Sequence, residues 1–341
     1  MSTKQRLFAI LGVAISIFFL VIAFNGLNPA AVWDHIRQAN GFLLLVAVFW
    51  YFTSVAVISL RWQSLLRATR FVPLGRLFRL VCITYMGNNV YPLRAGEFLR
   101  VVLLQRDEKV SLASGGIVAL TERVFDGIVM LTFVIVSLAL LNVASPDLRR
   151  VATLSAPIFI IALIGFFTLA LQPNLLRRLI GLVSRILPGK LGQLVHKLGE
   201  DVIAGLEGLR SPVDLAKTVF FSYACWMLEA STYWIVARAF NLNVDYTAML
   251  LVVGVVNLAG LIPASPGQVG VYEYFAVLAL GALGIEKTQA TAFTLAIHLI
   301  IWLPVTLLGF YFLVRRGLGF GAVAHAEQME IEQLEKEAAA S

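Results

Sequence analysis

The stretch 80–104, LVCITYMGNNVYPLRAGEFLRVVLL, decides how this chain is read. Its apolar opening, Leu80 to Tyr91, is too short to cross a bilayer, because a spanning helix needs roughly 17 to 25 apolar residues. The run breaks at Pro92 and continues through Leu93-Arg94-Ala95-Gly96-Glu97-Phe98-Leu99-Arg100. A second stretch, 248–284, behaves the same way: an apolar run, a break at Pro263-Ala264-Ser265-Pro266-Gly267, and an apolar restart that includes Gly270 and carries Glu273. Each reads as two half-helices around a Pro/Gly break. Non-helical backbone at membrane depth is tolerated only where protein or a wet cavity covers it. Pro92, Gly96, Pro263, Pro266, Gly267 and Gly270 are therefore expected hinge positions beside a substrate site.

Around these two elements lie uninterrupted apolar runs: Leu7 to Ala23, Phe42 to Leu60, Gly127 to Val143, Ala152 to Leu171, Leu215 to Ala237 and Ala290 to Val314. The expected fold is an all-α polytopic membrane protein with six full spans plus two broken, re-entrant elements. The first half (about 7–143) reads span, span, broken element, span, and the second (about 152–314) repeats that order, which is the pattern of an inverted repeat. Both breaks share Pro-x-x-x-Gly, in Pro92 to Gly96 and Pro263 to Gly267.

Composition agrees. Of 341 residues, 59% are hydrophobic and 14% charged, and the mean hydropathy is +0.85, whereas a soluble domain is about 25% charged. The net charge of +7 comes from Lys and Arg that flank apolar runs, a topological pattern rather than a nucleic-acid surface. Arg61, Arg67, Arg70, Arg76 and Arg79 crowd one connection, and Arg177, Arg178, Arg185, Lys190 and Lys197 another. These are expected to face the cytoplasm, together with both termini. The first run reads as an uncleaved anchor rather than a signal peptide. Segment 172–214 is amphipathic at helical spacing, which suits a helix on the cytoplasmic leaflet, and 316–341 forms an acidic cytoplasmic tail. Residues 1–315 make one integral membrane domain. Cys82 and Cys225 lie in apolar segments without CxxC spacing and read as packing residues.

Ionisable residues at membrane depth are costly, so each is a functional candidate. Arg94, Glu97 and Arg100 sit in the first broken element, Glu122, Arg123 and Asp126 open the third full span, Glu229 is in the fifth, and Glu273 is in the second broken element. Glu97 with Arg100, and Arg123 with Asp126, are three apart and share helical faces. One reading makes all of them an internal salt-bridge network. The other lines a polar furrow for a lipid headgroup, with arginines on phosphate. His298 reads as a hydrogen-bonded core histidine. There is no HExxH, Walker A, GxGxxG or GxSxG element, and neither an enzyme nor a metal or other cofactor is expected.

The runs Asn88-Asn89-Val90-Tyr91-Pro92-Leu93-Arg94-Ala95-Gly96-Glu97-Phe98-Leu99-Arg100, Glu122-Arg123-Val124-Phe125-Asp126 and Pro263-Ala264-Ser265-Pro266-Gly267-Gln268-Val269-Gly270-Val271-Tyr272-Glu273 resemble, in this order, the signature of the lysylphosphatidylglycerol synthase transmembrane family, also called flippase-like domain proteins. The resemblance implies a bacterial or archaeal cytoplasmic-membrane protein related to the part that flips aminoacylated phosphatidylglycerol between leaflets. The fused members carry a cytosolic aminoacyltransferase domain, and here the sequence ends soon after Arg315-Arg316, so synthase activity is not implied. The expected function is translocation of a phospholipid or related amphiphile. The alternatives are an accessory lipid-binding component serving a separately encoded lipid synthase or glycosyltransferase, and, third, an intramembrane lipid-modifying enzyme.

Overall fold

The computed structural model describes residues 3–67, 69–91, 94–141, 172–186 and 211–317, with scattered residues in 157–168 and 196–203. The expected span 152–171, the amphipathic stretch after Pro188, the tail beyond Gly317 and the hinge residue Pro92 lie outside them, apart from those scattered residues.

Within these residues the chain is all-helical: α1 (Thr3–Phe24), α2 (Pro29–Gln38), α3 (Gly41–Leu66), α4 (Leu74–Val90), α5 (Ala95–Glu108), α6 (Leu112–Leu140), α7 (Pro173–Ile186), α8 (Pro212–Ala239), α9 (Tyr246–Ala259), α10 (Val271–Ala282) and α11 (Lys287–Val314). Helices α3, α6 and α11 are long and apolar enough to cross a membrane, and α1 with α2 passes the same test as a pair bent by 81°. The bend has a local cause. Asn28 accepts from the Ala30 amide, and Pro29 begins α2, where a proline lacks only an amide that would be unpaired anyway. Asn40, Ser111, Ser211 and Glu286 cap α3, α6, α8 and α11 in the same manner, each satisfying amides that the first turn leaves free.

Two helices are longer than their apolar runs predict. Helix α3 continues through Arg61 to Leu66, so Arg61 belongs to the interior rather than to the cytoplasmic connection: it is 1% exposed. Helix α6 begins at Leu112, which places Glu122, Arg123 and Asp126 in the middle of a helix instead of at its mouth.

Both broken elements are re-entrant hairpins. Helix α4 enters from one end of the bundle and α5 returns to it, since Arg76 at the start of α4 bonds Glu108 at the end of α5 at 3.0 Å, and Asp107 pairs with Arg316 beyond α11. The pair α9–α10 enters from the other end, where Gln289 of α11 reaches the Phe240 carbonyl at the end of α8 and Lys287 reaches the Asn25 carbonyl beyond α1. Arg76, Arg79, Arg106, Arg315 and Arg316 thus gather at one end, along with the start of α1.

The packing repeats under exchange of the two halves. Helices α3 and α8 run antiparallel: the Asn40 amide bonds the Ala239 carbonyl, Ser54 bonds the Cys225 carbonyl, and Arg61 bonds Ser222. Helix α4 lies on α11, where Asn89 meets Trp302 and Thr306. Helix α9 lies on α6, where a Cβ on Gly254 would meet the Met130 carbonyl and Val134. The pairing is crossed in the same way in both halves: α4 of the first packs on α11 of the second, and α9 of the second on α6 of the first. A two-fold axis that carries α3 onto an antiparallel α8 lies across the helices rather than along them, which is the geometry of an inverted repeat.

Candidate functional site

The tips of the hairpins meet at a cavity of about 580 Å³ in the middle of the bundle. Their backbones are held in conformations that side chains rarely adopt: Arg94 has φ 54°, Gly267 70°, Gln268 59° and Gly270 91°. Left-handed backbone at a non-glycine residue persists only where its surroundings over-determine it. They do so here. At Gly96 of α5 a methyl group would overlap the Thr84 carbonyl of α4, and at Gly270 it would overlap the Ser16 carbonyl of α1. Ser16 also accepts from the Ser265 amide at 2.9 Å, so α1 is seated on the second tip.

The two half-helices that leave the tips begin alike. Each starts after a positive-φ residue, Arg94 or Gly270, and each has a glutamate as its third residue, Glu97 or Glu273. Gly96 is therefore the counterpart of Tyr272 and not of Gly267. The shared Pro-x-x-x-Gly is a coincidence of spacing rather than the repeat's register.

On the first side the charges form a closed network. Arg61 bonds Glu122 at 2.5 Å and Asp126 at 2.7 Å, and Arg100 bonds Glu122 at 2.5 Å and Glu97 at 2.6 Å. Arg123 lies 3.2 to 3.6 Å from Asp126, Glu122 and Glu97. The Trp226 indole donates to Asp126 at 2.7 Å, and the Arg100 guanidinium lies 3.7 Å from the Trp62 ring centre. Charge-assisted bonds of this length and number are what allow buried ions to persist. Two arginine nitrogens, Nε of Arg61 and of Arg100, are nevertheless buried without an acceptor.

On the second side Glu273 reaches across to α11. It accepts from the Gly270 amide at 2.5 Å and meets Nδ1 of His298 at 2.5 Å, while Nε2 of His298 lies 3.0 Å from the Gly267 carbonyl. A carbonyl only accepts, so Nε2 carries hydrogen. The Tyr272 ring lies against His298 at 4.2 Å, and its hydroxyl meets that of Tyr233 at 2.6 Å. His298 is hydrogen-bonded, and it also lines the cavity, which a lone histidine in an apolar span did not signal.

Of the expected residues, Arg94, Glu97, Arg100, Glu122, Arg123, Asp126 and Glu229 line this one cavity, with Pro263, Pro266 and Gly267 beside them. Glu273 touches it through His298. Sequence reasoning missed Arg61, whose place at the edge of an apolar run resembles an interfacial anchor, and it missed the aromatic lining of Tyr51, Tyr85, Trp226, Tyr233 and Trp302. Among the described residues, no three His, Cys, Asp or Glu side chains gather as a metal site.

Comparison with known proteins places this geometry in context. Residues 9–309 match the family model described as the lysylphosphatidylglycerol synthase TM region. A protein of Haloferax volcanii named glycosyltransferase AglD is 24% identical over 86% of this chain and 51% of its own length, so the chain spans about half of that relative. A UPF0104 membrane protein of Methanothermobacter thermautotrophicus is 24% identical over 91% of this chain and 94% of its own length. Another, of Pyrococcus horikoshii, is 22% identical over 81% and 88%.

Proposed function

Because this chain belongs to the lysylphosphatidylglycerol synthase transmembrane family, we propose that it moves a phospholipid or related amphiphile between leaflets, with the headgroup carried in the cavity between the hairpin tips. The observation that carries this reading is the convergence of two hairpins, entering from opposite ends, on one charged cavity inside an apolar bundle. A lipid's chains travel in hydrocarbon at no cost, whereas its headgroup needs a polar path. Arg94 supplies forked donors to phosphate. The network of Glu97, Arg100, Glu122, Arg123, Asp126 and Arg61 holds the first tip at a fixed depth. Pro263, Pro266 and Gly267 act as the hinge of the second tip, and one half rocks against the other. In this reading the basic end of the bundle faces the cytoplasm of an archaeal or bacterial cell, and no covalent step is assigned.

Transbilayer movement of labelled phosphatidylglycerol in proteoliposomes, read with a leaflet-selective quencher, tests the proposal. Protein-dependent movement that is lost in Glu97→Gln supports it. Static lipid across several headgroups counts against it.

The relative named as a glycosyltransferase, twice the length of the shared region, favours a second reading. There the cavity presents a lipid to a separately encoded glycosyltransferase or lipid synthase without moving it. Binding of lipid to the purified protein, without movement in vesicles, supports that alternative.

A further inference from the structure

Four arginines (Arg61, Arg94, Arg100 and Arg123) and four carboxyl groups (Glu97, Glu122, Asp126 and Glu229) line the cavity. Three of each sort pair with one another. The remaining cation, Arg94, and the remaining carboxyl, Glu229, make no salt bridge among the described residues, although Arg94 is within electrostatic reach of Glu97 and Asp126. Arg94 is exposed at the first tip, whereas Glu229 sits mid-helix on α8 and is 6% exposed.

The groups around Glu229 come from every side. Tyr51 of α3, Tyr85 of α4, Tyr272 of α10, and Tyr233 and Cys225 on its own helix are within electrostatic reach, and the charged neighbour is Asp126 of α6, of the same sign. Helix α9 offers only Tyr246, which is bonded to the Met227 carbonyl. From α11, His298 is held by Glu273 and Gly267, and Arg61 and Arg123 are engaged with carboxylates. A carboxylate among tyrosines and a like charge costs several kcal/mol when ionised, and the neutral acid costs far less.

The charge of the lining therefore has two values. With Glu229 neutral it holds one cation in excess, and with Glu229 ionised it holds none. A headgroup bearing a single phosphodiester charge compensates the first state and leaves an unbalanced anion in the second. We infer that Glu229 is a proton-binding site whose occupancy is linked to that of a monoanionic phosphate headgroup, so that one proton accompanies each lipid. The inference rests on the translocator reading. The proton comes from water in the open cavity, resides on a carboxyl oxygen of Glu229, and leaves from it when the lipid departs; only that O–H bond is made and broken. By linkage, lipid binding strengthens proton binding and the converse. The loaded carrier moves no net charge, so a pH difference across the membrane biases lipid distribution and a membrane potential does not.

The test is the rate of phosphatidylglycerol movement in proteoliposomes buffered from about pH 6 to about pH 10, a range that extends above the titration point expected for an acid whose ionised form is disfavoured. The wild-type rate rises as pH falls, by up to roughly tenfold per pH unit above the titration point, and in Glu229→Gln the ratio of rates across that range falls to one whatever the absolute rate. A wild-type rate that moves lipid without any pH dependence overturns the proton site and leaves translocation standing. PH dependence that survives in Glu229→Gln puts the proton elsewhere, with the His298–Glu273 pair next in line, and overturns the assignment. A second measurement needs neither the variant nor movement: short-chain phosphatidylglycerol is added to the wild-type protein in weakly buffered detergent at about pH 9 to 10, where the empty site is ionised, with a pH-sensitive dye. Uptake of about one proton per bound lipid supports the site, and binding without uptake overturns it, including when movement itself is absent and the translocator reading has failed.

Discussion

Glu97 and Glu273 occupy the same place in the two halves of the chain, each the third residue of a half-helix that leaves a hairpin tip, yet they meet opposite partners. Glu97 bonds Arg100 and faces Arg123, whereas Glu273 bonds His298 and a backbone amide. Glu97→Gln leaves two arginines short of a counter-charge at the cavity, and Glu273→Gln still offers an amide oxygen to Gly270. Folded yield from membranes, read by gel filtration in detergent, is expected to stay near wild type for Glu273→Gln, while lipid movement falls in both.

Arg61 is the cation that bonds two buried carboxylates at once, Glu122 at 2.5 Å and Asp126 at 2.7 Å. Arg61→Met takes one cation from Glu122 and Asp126 and leaves the three carboxylates with two arginines, and breaking a buried pair from one side costs about 3–5 kcal/mol. Thermal unfolding in detergent is expected to show a drop of that order. The double variant with Glu122→Gln is expected to recover part of it, because the numbers of buried cations and carboxylates in the network match again; additive losses would exclude direct pairing.

Gly96 has no room for a side chain. Its Cβ would overlap the Thr84 carbonyl and come within 2.6 Å of the Asn88 amide nitrogen, and neither backbone group can turn aside. Gly96→Ala is expected to cost at least about 3 kcal/mol and to splay α4 from α5, seen as lost yield or early unfolding. Gly116, whose Cβ would meet nothing within 4 Å, accepts alanine in the same assay.

Hairpin direction predicts labelling. With the basic end inside, a cysteine at Lys109, after α5, is expected to react with a membrane-impermeant maleimide only in inverted vesicles, and one at Gly284, after α10, only in intact cells. Labelling of both from one side would contradict two hairpins that enter from opposite ends.

The carboxylate of Glu286 caps α11 from outside the span, accepting from the Thr288 and Gln289 amides at 2.8 and 3.0 Å. Those bonds hold the carboxyl below the usual range. A lowered folded-state value means that the cap stabilises above the unfolded value, near pH 4.3, and is lost as pH falls through the folded one. Glu286→Ala is expected to lower stability by about 1 kcal/mol at neutral pH, with the gap to wild type closing in acid. A gap that persists at the lowest pH would assign the effect to something other than the charge.

Much of this arrangement is written in local chemistry. The breaks at Pro92 and at Pro263–Gly267 declare themselves through Pro and Gly, and the run lengths place α1, α8 and α11 to within a few residues. Asn28-Pro29 carries the signal of a capped new helix, which an apolar-run search passes over. Arg61 was not legible, because a cation after an apolar run has the same local signature whether it anchors at an interface or is buried; only the facing Glu122 and Asp126, sixty residues away in sequence, decide. The match of Glu97 with Glu273 was within reach, since counting from the start of each apolar restart aligns the two where the prolines do not.

The antiparallel seam of α3 on α8 sets what can differ between the two faces of the membrane. Under its two-fold axis, any tilt that opens the central chamber toward one leaflet has a counterpart of similar backbone energy that opens it toward the other, so the scaffold by itself is an even seesaw. Only the side chains break the tie. The arginine-rich knot around Glu122 weights one arm, and the lighter Glu273–His298 clasp weights the other. In the translocator proposed above, the resting tilt, and with it the leaflet from which cargo is first collected, is a property of those few side chains rather than of the fold. On that reading, exchanging charge between the two arms reverses the preferred tilt without rebuilding the scaffold.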